Sequence, residues 1–285
     1  MNTFNHDQYQ TYINTYRYDT GMRHHTVDPR EGCEHAVNLP KRHPECSQIK
    51  FYYDHQYKGW DVMQWPGDGA QVENYLERTW DVIETALSEY PRLYAVRVDL
   101  HYPASYPVER SRDNQCLKRF FYYLQWELDQ SNFVHKTRVH YTWAREQVSS
   151  LYPHYHLVLM FNKDTLCGIG KYSPSDQGGY QHQSLFHRIA RAWAYALELE
   201  NDSRMKGLVH YAVEKRYDQL GPDEYDVPRC SQVVDYDSGQ FHVYRGKHDS
   251  ELARLYYRAS YLCKAYSKRF GEVTHCFGSS RVRRR

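Results

Sequence analysis

The segment from His154 to Asn162 constrains the fold more than any other part of the sequence. It reads HYHLVLMFN, two histidines separated by one tyrosine and followed by bulky apolar residues. Successive side chains of a strand point to opposite faces, so His154 and His156 share one face and Tyr155 lies on the other. A second strand pattern, TRVHYTWARE, ends at Glu146, and only the polar link QVSSLYP separates the two. The two segments therefore predict an antiparallel hairpin.

Amphipathic helices and another strand surround this hairpin. Apolar residues recur at helical spacing over 70–87, 117–128, 185–199 and about 250–269, and alternate over 92–101. GLVHYAVE is a further predicted strand. The pattern predicts an α+β fold, with a central, mainly antiparallel sheet of about four or five strands flanked by helices. This domain is expected to span 68–285 and to follow an irregular N-terminal extension over 1–67, which holds one short strand at IKFYY.

The composition indicates a globular protein, with 41% apolar and 25% charged residues. No run approaches the roughly 18 apolar residues of a membrane span, and MNTFNHDQYQ lacks the basic and apolar regions of a secretory signal. Seven dispersed cysteines, an odd number, favour a reducing compartment over a disulfide framework. The expected location is therefore the cytoplasm, without a membrane partner.

Positive charge collects near the C-terminal end, although the formal net charge is only +2. From Lys264 to Arg285 the sequence has seven lysines and arginines and one acid, Glu272. Such a cluster predicts a phosphate-binding arm, and a solvated terminus is an equally good interpretation of composition alone. The candidate DNA-binding residues are Lys268, Arg269, Arg281, Arg283, Arg284 and Arg285. The 29 tyrosines could stack on bases, although most are expected to serve packing.

Glu146, His154 and His156 form a candidate metal site. The predicted hairpin returns Glu146 to the side of His154, on the face that carries both histidines. Two imidazoles and one carboxylate, with positions left for water and phosphate, suit Mg or Mn, and Zn or another first-row ion would also fit. If Glu146 is not a ligand, Asp99 or His101, on the same face of the preceding strand, is the alternative third ligand. The competing interpretation is that all three are ordinary polar residues at strand ends.

A candidate nucleophile lies in LYYRASYLCKAYSK. On a helix over 250–269, Tyr257 and Tyr261 would share one face, and Lys264 would follow Tyr261 by about one turn. A tyrosine hydroxyl has a pKa near 10 and needs activation before it attacks a phosphodiester, which a metal and a nearby lysine could provide. The competing interpretation is ordinary decoration of a helix surface.

A weaker pattern lies in the N-terminal extension, CEHAVNLPKRHPEC. The side chains of Cys33, His35, His43 and Cys46 are of the types that bind Zn. Their spacing matches no established zinc motif, so cysteines in an irregular segment remain the competing interpretation.

Taken in order, the segments RVDLH, WAREQ, HYHLVLMFN, GLVHY, RASYLCKAYSK and FGSSR resemble a known family. They are similar to the His-hydrophobic-His (HUH) endonucleases that start rolling-circle replication. More narrowly, they resemble inovirus-type replication proteins with a YagK/YfjJ-like C-terminal domain, from filamentous phages and prophages. The similarity covers about residues 70 to 281.

This resemblance implies an HUH endonuclease-like domain and a metal-dependent nickase and strand-transfer enzyme for single-stranded DNA. Glu146, His154 and His156 would be metal ligands, Tyr261 the nucleophile and Lys264 its assisting cation. Tyr257 would be a packing residue or, as in initiators with paired tyrosines, a second nucleophile. The implied partners are single-stranded or hairpin origin DNA and, because the sequence has no Walker-type phosphate loop, a host helicase and replication machinery in the bacterial cytoplasm.

Two other functions fit the same residues. One is a non-catalytic regulator that binds single-stranded DNA through tyrosine stacking and the basic residues. The other is an HUH-type transposase of a mobile element, which would share the chemistry and act on different DNA ends. The regulator does not explain why two histidines, a glutamate and a tyrosine should meet.

Overall fold

The computed structural model describes residues 40–63, 70–147, 150–171, 179–200, 202–211, 239–247 and 250–282. Within these ranges the chain forms ten strands and five helices. In chain order they are β1 (Phe51–Tyr52), β2 (Gln56–Tyr57), β3 (Trp60–Asp61), β4 (Gln71–Val72), α1 (Glu73–Glu89), β5 (Arg92–Leu100), α2 (Val108–Ser111), α3 (Gln115–Asp129), β6 (His140–Glu146), β7 (His154–Asn162), α4 (Leu185–Leu197), β8 (Val209–Tyr211), β9 (Gln240–Tyr244), α5 (Ser250–Ser260) and β10 (Phe277–Ser279). None of the described helices is both long and apolar enough to cross a membrane.

One antiparallel sheet organises the described part of the chain. Its order is β10-β6-β7-β5-β8, and β9 pairs with β5 as well. Strands β8 and β9 lie along the same edge of β5, β8 beside Val98–Leu100 and β9 beside Arg92–Val96. The predicted α+β fold with a mainly antiparallel sheet flanked by helices is confirmed. The described sheet has six strands, because the short β9 and β10 add to the predicted ones.

Both faces of the sheet are covered by helices. On one face Tyr94, Val96 and Val98 of β5 alternate into a core shared with β7, α3 and α4. On the other face Leu93 and Ala95 pack with residues of α1 and α5. The sheet is therefore the middle layer, and β5 and β7 are buried on both sides, as their nearly continuous apolar sequences require.

The predicted hairpin of β6 and β7 is confirmed, and it is antiparallel from His140↔Met160 to Glu146↔His154. At the end of the pair that holds Glu146 and His154, the apolar side chains give way to charged ones. This end of the sheet, on the face covered by α1 and α5, is where the candidate site residues lie.

The last helix is shorter than the predicted helix over 250–269, since α5 ends at Ser260 and a 3₁₀ turn covers Tyr261–Cys263. The chain then leaves the helix because it pairs with a distant segment. Lys264 forms a β-bridge with Gln71, and the N–H of Ala265 donates to the carbonyl of Ala70 over 2.8 Å. Helical periodicity cannot reveal this pairing, because the partner lies far away in sequence.

Residues 40–63, which belong to the predicted N-terminal extension, contain the three short strands β1, β2 and β3. Strand β1 pairs with β4, and β2 pairs with β3. Cys46, Ile49 and Phe51 pack with Val72 and Ala265, so this segment covers the chain that follows α5. Residues 1–39, with Cys33 and His35 of the possible zinc site, lie outside the described residues.

Candidate metal centre and nucleophile

Three potential metal ligands meet at one end of the β6/β7 hairpin. Oε2 of Glu146 lies 3.4 Å from Nε2 of His156 and 4.0 Å from Nε2 of His154. One ligand atom from each residue lies within 4.8 Å of the others. Because ligand atoms bind an ion at about 2.0–2.3 Å, small side-chain rotations would bring all three onto one shared ion.

The strand register explains why these residues converge. Glu146 lies opposite His154, and Ala144 lies opposite His156. On the other side of β7, Asp99 of β5 lies opposite His156. Residues paired directly across antiparallel strands have Cβ atoms about 4.5–5.5 Å apart on one face of the sheet. The two histidines therefore have a carboxylate on each side, Glu146 from β6 and Asp99 from β5.

Asp99 fixes the orientation of the His156 ring. Nδ1 of His156 lies 2.6 Å from Oδ1 of Asp99, so this nitrogen donates to the carboxylate and Nε2 faces Glu146. A ring nitrogen fixed in this way is the usual support of a metal-binding histidine. Burial lowers the pKa of His156, but the hydrogen bonds to Asp99 and Glu146 raise it above its ordinary value. Metal binding at Nε2 requires this nitrogen to be unprotonated, so a raised pKa makes metal binding compete with protons.

Two lysines form ion pairs with Glu146. Nζ of Lys264 lies 3.2 Å from Oε2 of Glu146, and Nζ of Lys268 lies 3.6 Å from Oε1. Burial raises the pKa of Glu146, but Lys268, His156 and Lys264 together hold it well below its usual value. Glu146 is therefore ionised over the whole physiological pH range, as a metal ligand must be.

Tyr261 reaches this cluster from the 3₁₀ turn after α5. Nζ of Lys264 donates to the Tyr261 hydroxyl over 2.6 Å. The His156 ring meets the Tyr261 ring edge to face, with centroids 5.4 Å apart. The guanidinium of Arg97 lies over the same ring, 4.4 Å from its centroid. The phenol is thus held between the metal-ligand strand and two cations.

The site fits a divalent cation. Among the described residues, Oε1 of Glu146 is buried and accepts no hydrogen bond, with only the ion pair to Lys268 nearby. One carboxylate and two imidazoles, Glu146 with His154 and His156, suit Mn, Mg with phosphate and water, or Zn. The residues that would hold the ion are therefore the three that the sequence pattern predicted.

Comparison with known proteins places the chain in a family. A model of the YagK/YfjJ C-terminal domain matches residues 54–234. The chain belongs to the YagK/YfjJ C-terminal domain family. It is 30% identical over 231 residues to "Uncharacterized protein YagK" of Escherichia coli (strain K12), covering 75% of this chain and 95% of the relative. No solved structure matches the chain.

A second relative is "Uncharacterized protein YfjJ" of the same strain, 30% identical over 165 residues, which are 52% of this chain and 76% of the relative. The part of the chain that matches the YagK/YfjJ domain contains Glu146, His154 and His156. Tyr261 and Lys264 follow it in the sequence. In this YagK/YfjJ family chain the candidate metal triad, which is Glu146, His154 and His156, and Tyr261 thus come from different parts of the sequence and meet only in the fold.

The remaining predicted site residues are distributed as follows. Tyr257 lies in α5, one turn before Tyr261, and is half-buried. Lys268, predicted to bind DNA, instead has a fully buried side chain beside Glu146, and burial lowers its pKa. Arg269 is exposed and lies 3.6 Å from Glu272. Arg281 is exposed, whereas Arg283, Arg284 and Arg285 lie outside the described residues.

The weaker zinc prediction is only partly covered by the described residues. His43 and Cys46 are both buried. The ring of His43 meets Phe51 and Phe270 edge to face, and Cys46 belongs to the same small core. Since Cys33 and His35 lie outside the described residues, the four-residue zinc site stays a prediction.

Two further residues of the site are Arg97 and Asp99, which the sequence pattern predicted on the face of the histidines, with Asp99 as an alternative third ligand. The alternation in β5 places both on the face of the histidines. Their roles depend on β5 lying next to β7, which the order of elements does not reveal. The pattern did not predict that Asp99 contacts His156 or that Arg97 lies over Tyr261. A charged residue in an otherwise apolar strand is the signal for such contacts, because burial of a charge needs a partner.

Proposed function

We propose that this protein is a metal-dependent nickase and strand-transfer enzyme for single-stranded DNA, which initiates rolling-circle replication through a covalent phosphotyrosine. The supporting observation is the position of Lys264. Its ammonium group is 2.6 Å from the Tyr261 hydroxyl and 3.2 Å from Glu146. One cation therefore links the candidate nucleophile to the candidate metal site.

Each residue has a defined task in this reaction. A divalent ion held by Glu146, His154 and His156 would polarise the scissile phosphate and offset charge on its oxygens. Asp99 keeps the His156 ring in the tautomer that presents Nε2. Lys264 stabilises the negative charge that develops on the Tyr261 oxygen as the phenol loses its proton. Burial lowers the pKa of Lys264, but Glu146 and Tyr261 raise it above its ordinary value, so the amine stays protonated.

The reaction is a transesterification with balanced bonds. The Tyr261 oxygen forms a bond to phosphorus as the bond to the leaving oxygen of the DNA strand breaks. The phenol proton passes through water to that leaving oxygen, which becomes a hydroxyl. Attack by the hydroxyl of another strand end reverses these steps and releases Tyr261, which is the strand transfer.

The arrangement also supports an HUH endonuclease-like assignment of the domain. The two histidines open a central strand of an antiparallel sheet, the glutamate lies on the neighbouring strand and the tyrosine follows later in the chain. The DNA partner would be a single-stranded or hairpin origin. A host helicase would be the partner that unwinds the origin.

A nicking assay on labelled single-stranded oligonucleotides with Mn or Mg tests this function. We expect His154→Ala and His156→Ala to lose cleavage and to keep most of their affinity for single strands, because that affinity comes from phosphate and stacking contacts. His135→Ala, which changes an exposed histidine outside the site, is the matched control and should cleave normally. Full nicking by the double histidine variant, or by wild type in EDTA, would contradict the proposal. Binding without cleavage in any metal would favour the regulator.

A further inference from the structure

A row of imidazole rings extends from the metal triad toward the edge of the sheet. The His154 ring stacks on the His101 ring, with centroids 5.4 Å apart and planes 7° from parallel. His101 in turn faces His210, with centroids 4.5 Å apart and planes at 34°. Only the first of these three rings belongs to the metal triad, so the other two have no role in the chemistry described above.

The strand register places this row on the same side of the sheet as the site. Asp99 lies opposite His156 on one side and opposite His210 on the other. His210 belongs to β8, the last strand on that side in the described sheet order. His101 is half-buried and His210 is exposed, so the row ends in a ring that solvent reaches.

Hydrogen bonds fix the ring of His210 and the backbone of His101. Nε2 of His210 donates to the carbonyl of Gly207 over 2.6 Å. The N–H of His101 donates to the carbonyl of Leu208, and the indole of Trp193 donates to the carbonyl of His101, each over 2.8 Å. A ring that is already fixed loses little conformational entropy when a ligand stacks on it.

We propose that the exposed ring of His210, backed by His101, forms a stacking subsite for one unpaired base of the bound single strand. The subsite rests on the proposed function, because a base lies there only if the strand crosses the metal triad. A base suits it better than a phosphate, since one nitrogen of His210 is already committed to Gly207 and the flat ring remains. Aromatic and imidazole faces stack on unpaired bases, at about 1–3 kcal/mol per base.

Binding measurements on a chemically altered strand test the subsite without cleavage. The probe is a short fluorescent single strand selected for binding from a random-sequence pool, measured in EDTA. In a series of probes, each position in turn carries an abasic site. The proteins are wild type, His210→Ala, His210→Phe and the exposed control His135→Ala.

We expect one abasic position to weaken binding by wild type about 5- to 100-fold, which corresponds to the loss of one stacked base. His210→Ala should bind the intact strand equally weakly and should no longer respond to that position. His210→Phe keeps a flat ring and should retain most of the affinity, whereas His135→Ala should behave as wild type. The loss of DNA affinity caused by His210→Ala and the loss caused by the abasic site should therefore not be additive when the two changes are combined.

The subsite is refuted if His210→Ala binds like wild type, or if the two losses add at every position. In a separate titration with Mn and without EDTA, His210→Ala should bind as many Mn ions as wild type. Fewer bound Mn ions, together with an unchanged abasic response, would also refute the subsite, since His210 would then serve a metal. Failure of the nickase gives a different pattern, because the abasic coupling would persist while no cleavage appeared with metal.

Discussion

At the scale of single residues, the account depends on how neighbours orient the groups that do the chemistry. Asp99 is the clearest case, because its carboxylate contacts the ring of His156. The bond between His156 Nδ1 and Asp99 leaves the opposite ring nitrogen facing Glu146. Arg97 plays a related part beside Asp99, with its guanidinium over the Tyr261 ring.

Asp99→Asn should weaken metal binding about 10- to 100-fold, which is the usual effect of losing the residue that orients a metal-binding histidine. The amide can also accept from Nδ1, but it carries no charge to strengthen the ligand. Calorimetric titration with Mn measures the change. Asp129→Asn, at an exposed position at the end of α3, is the control. Equal Mn affinity in the Asp99 and Asp129 variants would show that Asp99 does not support the metal site.

Lys264→Met should separate metal binding from catalysis. Loss of the ammonium removes a competing cation from Glu146, so Mn affinity should stay the same or rise. The rate of covalent adduct formation should fall about 100-fold or more, because removal of one electrostatic group that stabilises developing charge typically costs that much. Single-turnover rates and Mn titrations measure the two effects, with exposed Lys118→Met as control. A normal rate would assign Lys264 a purely structural role.

The sequence predicted the convergence of the candidate metal ligands better than their surroundings. Glu146 and the two histidines follow from alternation within strands and one short link, and both signals are local. The contact of Asp99 with His156 requires β5 to lie beside β7, and the burial of Lys268 requires the chain to leave its helix after Ser260. Such contacts join distant segments, so periodicity carries no information about them.

At the scale of elements, β10 supports the strand that carries Glu146. Gly278 lies opposite Trp143 of β6, and the N–H of Arg145 donates to the carbonyl of Cys276 over 2.8 Å. The sequence pattern did not single out this three-residue strand, because a segment containing a glycine has no clear alternation. Position 278 is a glycine because the ring of Trp143 lies where a larger side chain would begin.

Gly278→Ala should destabilise the protein by about 1–3 kcal/mol, the usual cost of overpacking. A Cβ at this position would lie 2.6 Å from Trp143 Cζ2, which is inside contact distance. Urea unfolding measures the free energy of unfolding. At Gly168 the nearest atom to an added Cβ is 3.9 Å away, so Gly168→Ala is the matched control and should change stability by less than about 0.5 kcal/mol. Equal stability of the two variants would exclude the steric role of Gly278.

At the scale of the whole molecule, the sequence pattern predicted the positions of the helices more reliably than the residues at which they begin and end. Helix α1 runs from Glu73 to Glu89, where the apolar spacing predicted 70–87. Periodicity defines which face of a helix is buried, whereas tertiary contacts decide where it stops. The end of α5 at Ser260 matters most, because it directs Lys264 and Lys268 toward Glu146.

The basic residues after β10 should contribute affinity without contributing chemistry. Deletion of 281–285 removes four arginines and should weaken binding to single-stranded DNA. It should also reduce the slope of log affinity against log salt by about 0.7 for each arginine that contacts a phosphate. Binding at several salt concentrations measures this slope, and the rate of adduct formation at saturating protein should not change. An unchanged slope would remove these residues from the DNA-binding surface.

The most direct test of the central claim is to identify the residue that becomes linked to DNA. The protein is incubated with a cleaved single-stranded oligonucleotide and Mn, digested, and the nucleotide-bearing peptide is sequenced by mass spectrometry. Tyr261→Phe, which removes only the hydroxyl, should form no adduct and keep its DNA affinity, while Tyr257→Phe should still form it. The account predicts a single modified residue, Tyr261. A modified Tyr257 with Tyr261 unmodified, or cleavage with no covalent adduct, would contradict it.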